Sequence, residues 1–354
     1  MVQNGLVMTT IPNFAGKREF LPRRLVWNGA ASLLSKLPTR DSLLVLNYHR
    51  IGNAEDDLFD PAVFSATAEQ FEDQIATLKR NVSPITLEEA LAFIDGTLKD
   101  KHPRCRVLIT FDDGYLDNYR IAYPILRSHG VHGVFFLVTS MVGSGHIPWW
   151  DEVSYLMKTG KKRTFSLRYP VDLKVDIDRD SFIESLRAVL RLYKRPENTQ
   201  PERFMQELAE ETQGEAPPKT LRRFLNWDEA REMCRGGASI GSHTHSHHVL
   251  SQLDPERQFE ELSKSRAILK EQLGVEVDSL AYPVGKRNSF TDETQRIAHQ
   301  VGYRAAFSFH GGANLPGKTL PYNICRFDLE GNVTVGRLQL EAAFWKLTGH
   351  VRWP

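Results

Sequence analysis

The chain of 354 residues is long enough for one large α/β domain with extensions or for two smaller domains. Its composition, 41% hydrophobic and 25% charged, is that of an ordinary globular protein, and a formal net charge of +1 provides no global field for nucleic acid. Three widely separated cysteines without Cys-x-x-Cys spacing argue against a disulfide scaffold or a cysteine zinc site. The sequence shows no secretory leader pattern and no apolar stretch that approaches the roughly 18 residues of a membrane span. The expected location is therefore cytoplasmic.

The first 41 residues are predicted to form a basic, amphipathic extension. Residues 1–40 carry six basic side chains and one acidic one. The apolar residues from Leu25 to Leu37 recur at helical spacing, which predicts a helix. Most amphipathic helices dock on their own domain, and this is the expected use here. Peripheral contact with an anionic membrane surface is the alternative.

From residue 42 onward, short apolar runs alternate with helix-patterned segments, which is typical of repeated βα units in a parallel sheet or barrel. The predicted strands are, in chain order, Leu43–Asn47, Arg106–Phe111, Val131–Val138, Ala238–Gly241, Ser279–Tyr282 and Arg304–Phe309. The predicted helices between and around them are Ala68–Arg80, Leu116–His129, Trp227–Arg235, Pro255–Leu273 and Asp292–Val301.

Residues 149–226 interrupt this alternation with charged, helix-favouring sequence. Helices are predicted over Ser181–Lys194 and Pro201–Glu211, and the segment 213–219 has the composition of a loop. We therefore expect one domain over residues 42–345 with a helical insertion at 149–226, followed by a tail at 346–354.

Chemically reactive side chains fall where the predicted strands end. In a parallel barrel these carboxyl ends share one face, on which active sites are built. Residues far apart in sequence are therefore expected to converge there. They are His49 after the first strand, Asp112 and Asp113 after the second, His243 and His247 after the fourth, and Tyr282 at the end of the fifth.

Asp112 and Asp113 follow an apolar strand and precede Gly114. Two carboxylates this close disfavour each other's charge unless a cation neutralises them, and a metal ion is the natural cation. An Asp-Asp-Gly turn can also be ordinary turn and cap chemistry, which is the alternative for this segment taken alone.

His243 and His247 are four positions apart, so both imidazoles can face one side if the backbone turns helically. Two neutral imidazoles and one carboxylate make a three-ligand zinc-type site with an open position. His245 and His248 leave the choice of ligands open, although His245 should alternate away from its neighbours. A polar histidine-rich loop, or a structural site closed by a fourth ligand, is the alternative.

Together these segments resemble a known family. Residues 110–114, Thr-Phe-Asp-Asp-Gly, are similar to the first motif of the NodB-homology polysaccharide deacetylases, carbohydrate esterase family four, and residues 243–247, His-Thr-His-Ser-His, to the second. The resemblance implies a distorted TIM-like (β/α)7 barrel, here with a helical insertion and an N-terminal helical extension. It also implies a divalent metal, with zinc expected and cobalt, iron, manganese or nickel as alternatives.

The resemblance also implies roles for the four residues of these motifs. Asp112 is then the general base, while Asp113, His243 and His247 bind the metal. A third family segment, Arg-x-Pro-Tyr-Gly, corresponds here to residues 281–286, Ala-Tyr-Pro-Val-Gly-Lys.

That third segment departs from the family pattern. It lacks the arginine that steadies the catalytic base, so Arg326, Lys286 or no residue fills that role. Val284 stands where the family has a tyrosine whose backbone N–H binds the oxyanion, and a backbone donor survives the change. Tyr282 and Val284 are therefore expected at the oxyanion and substrate position, with an ordinary turn as the alternative.

The general acid is expected to be His49. Residues 46–51, Leu-Asn-Tyr-His-Arg-Ile, resemble the Tyr-His segment of a permuted branch of the family that includes the poly-N-acetylglucosamine deacetylases. In that branch the acid histidine precedes the Asp-Asp motif. His310 is the second candidate, and a structural histidine at a strand end is the alternative for His49.

Trp150 and Asp151 are proposed substrate contacts, because an indole stacks on a sugar face and a carboxylate accepts from a hydroxyl. Core packing is the competing interpretation, since tryptophan is highly buried on average.

The function predicted from the sequence is hydrolysis of N-acetyl groups from an amino-sugar polysaccharide, oligosaccharide or lipid-linked glycan precursor, with release of acetate. No nucleic-acid partner is expected. The alternatives are a deformylase of a lipid-linked sugar, an amidohydrolase of a small ring compound, and a non-catalytic carbohydrate-binding protein.

Overall fold

The computed structural model of the protein describes residues 42–99, 106–195, 197–218, 221–311 and 314–328. The predicted N-terminal extension at 1–41 and the C-terminal tail at 346–354 lie outside the described residues. The last part of the predicted domain, residues 329–345, also lies outside them.

The described chain contains a nearly closed barrel of seven parallel strands, which confirms the predicted distorted (β/α)7 barrel. The barrel strands are β1 Leu43–Tyr48, β5 Arg106–Phe111, β6 Gly133–Leu137, β9 Ser239–Ser242, β10 Ser279–Ala281, β11 Ala305–Ser308, β12 Ile324–Cys325 and β13 Phe327–Asp328. Around the barrel the order is β12-β11-β10-β9-β6-β5-β1-β13, where β12 and β13 are two short parts of the last strand. The remaining short strands are β2 Arg50–Ile51, β3 Phe64–Ala66, β4 Ser83–Pro84, β7 Thr164–Leu167 and β8 Leu173–Asp176.

The last strand closes the barrel. Its first part, β12, pairs in parallel with β11, and its second part, β13, pairs in parallel with β1. Arg326 stands between the two parts, where the strand leaves one neighbour and joins the other. These two-residue segments were not predicted from the sequence, because they are too short to carry a period-two pattern.

Helices cover the barrel and build the insertion. They are α1 Ala68–Asn81, α2 Leu87–Ile94, α3 Tyr123–Ser128, α4 Trp149–Thr159, α5 Ile177–Asp180, α6 Phe182–Tyr193, α7 Pro201–Thr212, α8 Trp227–Arg235, α9 Pro255–Leu273 and α10 Asp292–Val301. Capping boxes fix the starts of α1, α2, α8 and α10, because each N-cap side chain and the residue three positions later satisfy free backbone N–H groups. Among the described residues, no helix is both long and apolar enough to cross a membrane.

The predicted helix Leu116–His129 and the predicted helical insertion each contain an element of another kind. The segment Leu116–His129 contains a π-helical turn, Asn118–Ala122, before α3. Pro124 lacks the N–H that would close an α-helical bond at this point. Within the insertion, β7 and β8 form an antiparallel hairpin, because Phe165 and Leu167 alternate with exposed residues and point into the insertion's own apolar core.

Candidate active site

The two adjacent carboxylates lie at the end of β5 on a tight turn. Asp112 N donates to Tyr48 O at 3.0 Å and so continues the ladder with β1. Asp113 (φ 73°) and Gly114 (φ 80°) then reverse the chain. A Cβ at Gly114 would lie 2.7 Å from Leu137 Cδ2, so with φ 80° any larger residue would be strained at this turn. The reversal sends the two carboxylates in different directions.

Asp113, His243 and His247 converge with their ligand atoms within 4.8 Å of one another. Asp113 Oδ1 lies 3.5 Å from His243 Nε2 and 3.4 Å from His247 Nε2. This oxygen is buried and accepts no hydrogen bond from the described residues. Burial, reinforced by the nearby charges of Asp112 and Asp151, raises the pKa of Asp113 well above its ordinary value.

The tautomer of His243 suits a metal ligand. Its Nδ1 lies 2.8 Å from Ala281 O, a bond that only Nδ1–H can donate, so the lone pair is on Nε2 and faces Asp113. Burial lowers the pKa of His243 to about 4, which keeps the ring neutral at neutral pH. An unpaired carboxylate oxygen facing an imidazole lone pair is unfavourable without a cation between them. The residues therefore fit a divalent metal with nitrogen and oxygen ligands.

The conformation of the loop after β9 determines the direction in which each of its histidine side chains points. Thr244 (φ 66°) and His247 (φ 61°) both have left-handed backbone conformations. Glu261 on α9 accepts from the backbone N–H of His245 at 3.1 Å and of Ser246 at 2.9 Å, and from the Ser246 hydroxyl. The His245 ring turns away to contact the Thr139 hydroxyl at 2.9 Å, as predicted from its alternation.

Asp112 is held by a buried arginine. Arg326 Nη1 and Nη2 donate to its two oxygens at 2.7 and 2.9 Å, and Asn47 Nδ2 contacts Oδ2 at 3.3 Å. Burial would raise the pKa of Asp112, but the charge of Arg326 outweighs it and the pKa is about 2. Of the two predicted basic residues, Arg326 makes this contact, whereas Lys286 is exposed and makes no contact with Asp112.

His49 lies at the end of β1, half-buried at the edge of this cluster. Its backbone N–H donates to Ser65 Oγ at 3.0 Å, and its carbonyl accepts from Asn118 Nδ2 at 2.7 Å. It lies close enough to Asp112, His243 and His247 for a charge on its ring to influence the pKa of each. The other acid candidate, His310, instead stacks on Phe290 with ring centroids 5.0 Å apart.

Val284 and Tyr282 differ in their surroundings. Val284 is 37% exposed with φ 63°, a strained conformation for a β-branched residue that is typical of functional turns. Tyr282 is fully buried, stacks on Phe290 and donates its hydroxyl to Tyr322 O at 3.0 Å. The Tyr282 side chain therefore presents no surface to the site, and the expected place of Tyr282 at the oxyanion and substrate position stays a prediction.

Trp150 and Asp151 belong to the packing behind the site. The Trp150 ring lies 4.8 Å from that of His247, and Asp151 is wholly buried. Asp151 accepts from Arg223 Nη2 at 3.1 Å and from Tyr115 Oη at 3.2 Å. Their burial favours the packing interpretation, and their role as substrate contacts stays a prediction. Arg223 and Tyr115 were missed because no local motif marks residues that meet only in the folded chain.

The chain matches the profile of the family described as Polysaccharide deacetylase over residues 99–191 and 193–306. These ranges include the Asp-Asp turn and the histidine loop. The protein belongs to the polysaccharide deacetylase family.

Two relatives show the range of similarity. YxkH of Bacillus subtilis, which is named as a polysaccharide deacetylase, is 24% identical over 274 residues, covering 77% of this chain and 66% of that protein. The poly-beta-1,6-N-acetyl-D-glucosamine N-deacetylase of Staphylococcus epidermidis is 34% identical over 116 residues, covering 30% of this chain and 39% of that enzyme. Both alignments span less than two thirds of the relative's length.

Two solved structures share the fold. IcaB from Ammonifex degensii has a TM-score of 0.55 and 22% identity, covering 86% of this chain and 98% of that one. The Streptococcus pyogenes deacetylase PplD, in complex with acetate, also has a TM-score of 0.55, with 19% identity over 85% of this chain and 98% of that one. At these identities the likeness concerns the fold alone.

Proposed function

We propose that the protein is a metal-dependent hydrolase that removes N-acetyl groups from amino sugars of a polysaccharide and releases acetate. One observation carries the proposal. The buried Oδ1 of Asp113 lies without a hydrogen-bond partner among the described residues, 3.4 to 3.5 Å from two imidazole nitrogens. Family membership supports the amide substrate, and the Staphylococcus epidermidis relative supports a β-1,6-linked N-acetylglucosamine polymer as its first candidate.

Asp113, His243 and His247 would hold the metal. A divalent ion there supplies Lewis acidity toward the acetyl carbonyl and toward a water nucleophile. Asp112 is ionised at neutral pH because of Arg326, and it accepts the proton of the attacking water. The bidentate contact with Arg326 fixes its orientation.

Two roles remain, the donor to the oxyanion and the general acid for the leaving amine. The backbone N–H of Val284 donates to the oxyanion that forms as the carbonyl is attacked. His49, in its protonated form, gives a proton to the amine as the carbon–nitrogen bond breaks. Hydrogen bonds of the His49 backbone with Ser65 and Asn118 fix the position of this residue without use of its imidazole. The strained turn at Val284 fixes the direction of its backbone N–H.

The test is acetate release from β-1,6-linked N-acetylglucosamine oligomers by the purified chain. We expect activity that a chelator abolishes and added zinc restores. Asp112→Asn should reduce kcat/KM by about 100-fold to 10,000-fold, the usual contribution of a general base. In the same assay His49→Ala should cause a comparable loss and His310→Ala a small one.

Asp172→Asn, an exposed change in the insertion, is the matched control and should retain full activity. Undiminished acetate release by Asp112→Asn, or activity indifferent to chelator, would contradict the proposal.

A further inference from the structure

His247 is the most exposed and the least firmly oriented of the three proposed metal ligands. Its side chain is 16% exposed, compared with 2% for His243 and 4% for Asp113. His243 is oriented by its hydrogen bond to Ala281 O, whereas the His247 ring has no hydrogen bond to the described residues. Its backbone is also in the left-handed region, at φ 61°. Something other than a hydrogen bond must fix this ring.

The indole of Trp150 packs against His247. The two ring centroids are 4.8 Å apart with an interplanar angle of 52°, and Trp150 is only 8% exposed. Aromatic pairs at this separation favour particular orientations, so a fixed indole limits the rotation of the imidazole. The position of the Trp150 ring therefore bears directly on the direction of the His247 lone pair.

A chain of buried hydrogen bonds fixes Trp150 in turn. Its Nε1 donates to Tyr115 Oη at 2.8 Å, and Tyr115 Oη donates to Asp151 Oδ2 at 3.2 Å. Arg223 Nη2 donates to the same carboxylate oxygen at 3.1 Å. Tyr115 and Asp151 are wholly buried, so these bonds have no competition from water.

The same residues also join the insertion to the turn that carries Asp113. Leu116 N donates to Arg223 O at 2.8 Å, and Leu225 N donates to Gly114 O at 3.1 Å. Two ligands, Asp113 through this pairing and His247 through Trp150, are thus tied to one small set of residues from the insertion.

We propose that Trp150 is a positioning residue for His247. Tyr115, Asp151 and Arg223 hold the indole in place, and the insertion thereby sets the metal affinity of the site. The inference rests on the proposed function through its assignment of His247 as a metal ligand. It predicts that changes in the insertion weaken metal binding without contact with the metal.

Zinc affinity of the purified full chain tests the inference, by competition with a fluorescent chelator. Trp150→Leu keeps an apolar side chain but removes the indole, and we expect a loss of affinity of about 10-fold to 100-fold, the range for residues that orient ligands. Tyr115→Phe removes only the hydroxyl that accepts from the indole and donates to Asp151, and we expect a smaller loss, below about 10-fold. Folded fraction is checked by circular dichroism before each titration.

Trp227→Phe is the matched control, because Trp227 is a partly buried tryptophan that packs against the main hydrophobic core. It should lower the thermal midpoint without changing zinc affinity. Wild-type affinity in folded Tyr115→Phe and Trp150→Leu would overturn the inference.

His247→Ala separates this result from failure of the proposed function. If the wild-type chain binds no zinc, or if His247→Ala binds it as tightly as the wild type, the metal-site assignment itself is wrong. If His247→Ala loses zinc while the Trp150 and Tyr115 variants keep it, only the positioning role is wrong.

Discussion

Asp112 and Asp113 are neighbours in sequence but lie in opposite electrostatic surroundings. Asp112 is paired with Arg326 through two short hydrogen bonds, so its pKa is about 2. Asp113 is equally buried but has no cation within hydrogen-bond distance among the described residues, and its pKa is raised well above the ordinary value. One turn thus separates a permanently ionised carboxylate from one that needs a metal.

Replacing Arg326 should expose how much Asp112 depends on it. Arg326→Met leaves a carboxylate buried without its cation, and removing one partner of a buried pair costs about 3–5 kcal/mol. We expect the free energy of unfolding to fall by this amount in urea denaturation, with activity lost as well. Arg304→Met is the control, because Arg304 is 52% exposed in its pairs with Asp278 and Glu88.

The exposed pair should contribute less than about 1 kcal/mol. Equal losses of unfolding free energy in Arg326→Met and Arg304→Met would show that breaking the buried pair costs no more than breaking the exposed pair.

Backbone strain is concentrated at the candidate site. Among the described residues, six other than glycine adopt positive φ, and four of these are Asp113, Thr244, His247 and Val284. Each costs roughly 1–2 kcal/mol relative to an ordinary conformation. The motifs in the sequence predicted which residues meet, but not this strain, because none of the four positions is a glycine. The surrounding hydrogen bonds, which only the fold supplies, enforce it.

At the scale of elements, the sequence predicted the placement of the site because its residues follow apolar strands. The six predicted strands all occur within one or two residues of their observed ends. The closing strand could not be predicted in this way, since β12 and β13 are two residues each. Arg326 stands in the gap between them, and the sequence therefore indicated it only as one of two candidate partners for Asp112, with Lys286.

The histidine loop depends on α9 through Glu261. Glu261→Ala would leave the N–H groups of His245 and Ser246 without their acceptor, at a cost of about 1–3 kcal/mol for the half-buried loop. We expect a lower thermal midpoint and weaker zinc binding, because the loop carries two of the proposed ligands. Calorimetry and zinc competition measure both effects.

Glu271→Ala provides the comparison, since Glu271 is an exposed residue of the same helix. It should change stability by less than about 0.5 kcal/mol and leave zinc affinity unchanged. A similar result for Glu261→Ala would mean that the loop holds its shape without α9.

At the scale of the molecule, buried charges join the insertion to the barrel. Arg50, next to His49, pairs with Asp57 and Asp117 at 2.8 Å. Arg223 from the insertion pairs with the same Asp57 at 3.1 Å, across 166 positions of sequence. No period or motif predicts such a network, because its members lie in separate segments and meet only after the barrel and insertion pack together.

Asp60 lies beside this network and should make stability depend on pH. Burial, with a contribution from the charge of Asp151, raises the pKa of Asp60 to about 6. The folded protein then binds a proton that the unfolded chain has lost above pH about 4, so stability falls as pH rises from about 4 to 6. Asp60→Asn removes this loss, and its advantage over the wild type should grow by about 1–3 kcal/mol between pH 4 and pH 7.

Urea denaturation at both pH values measures that advantage. The amide oxygen introduced by Asp60→Asn can still accept from Ala62 N, so the cap that Asp60 makes at 2.9 Å need not be lost. Asp172→Asn changes an exposed aspartate of the insertion hairpin and should shift stability equally at both pH values. If Asp60→Asn behaves as Asp172→Asn does, the Asp60 carboxylate is solvated in the folded protein and the boundary between barrel and insertion is open to water.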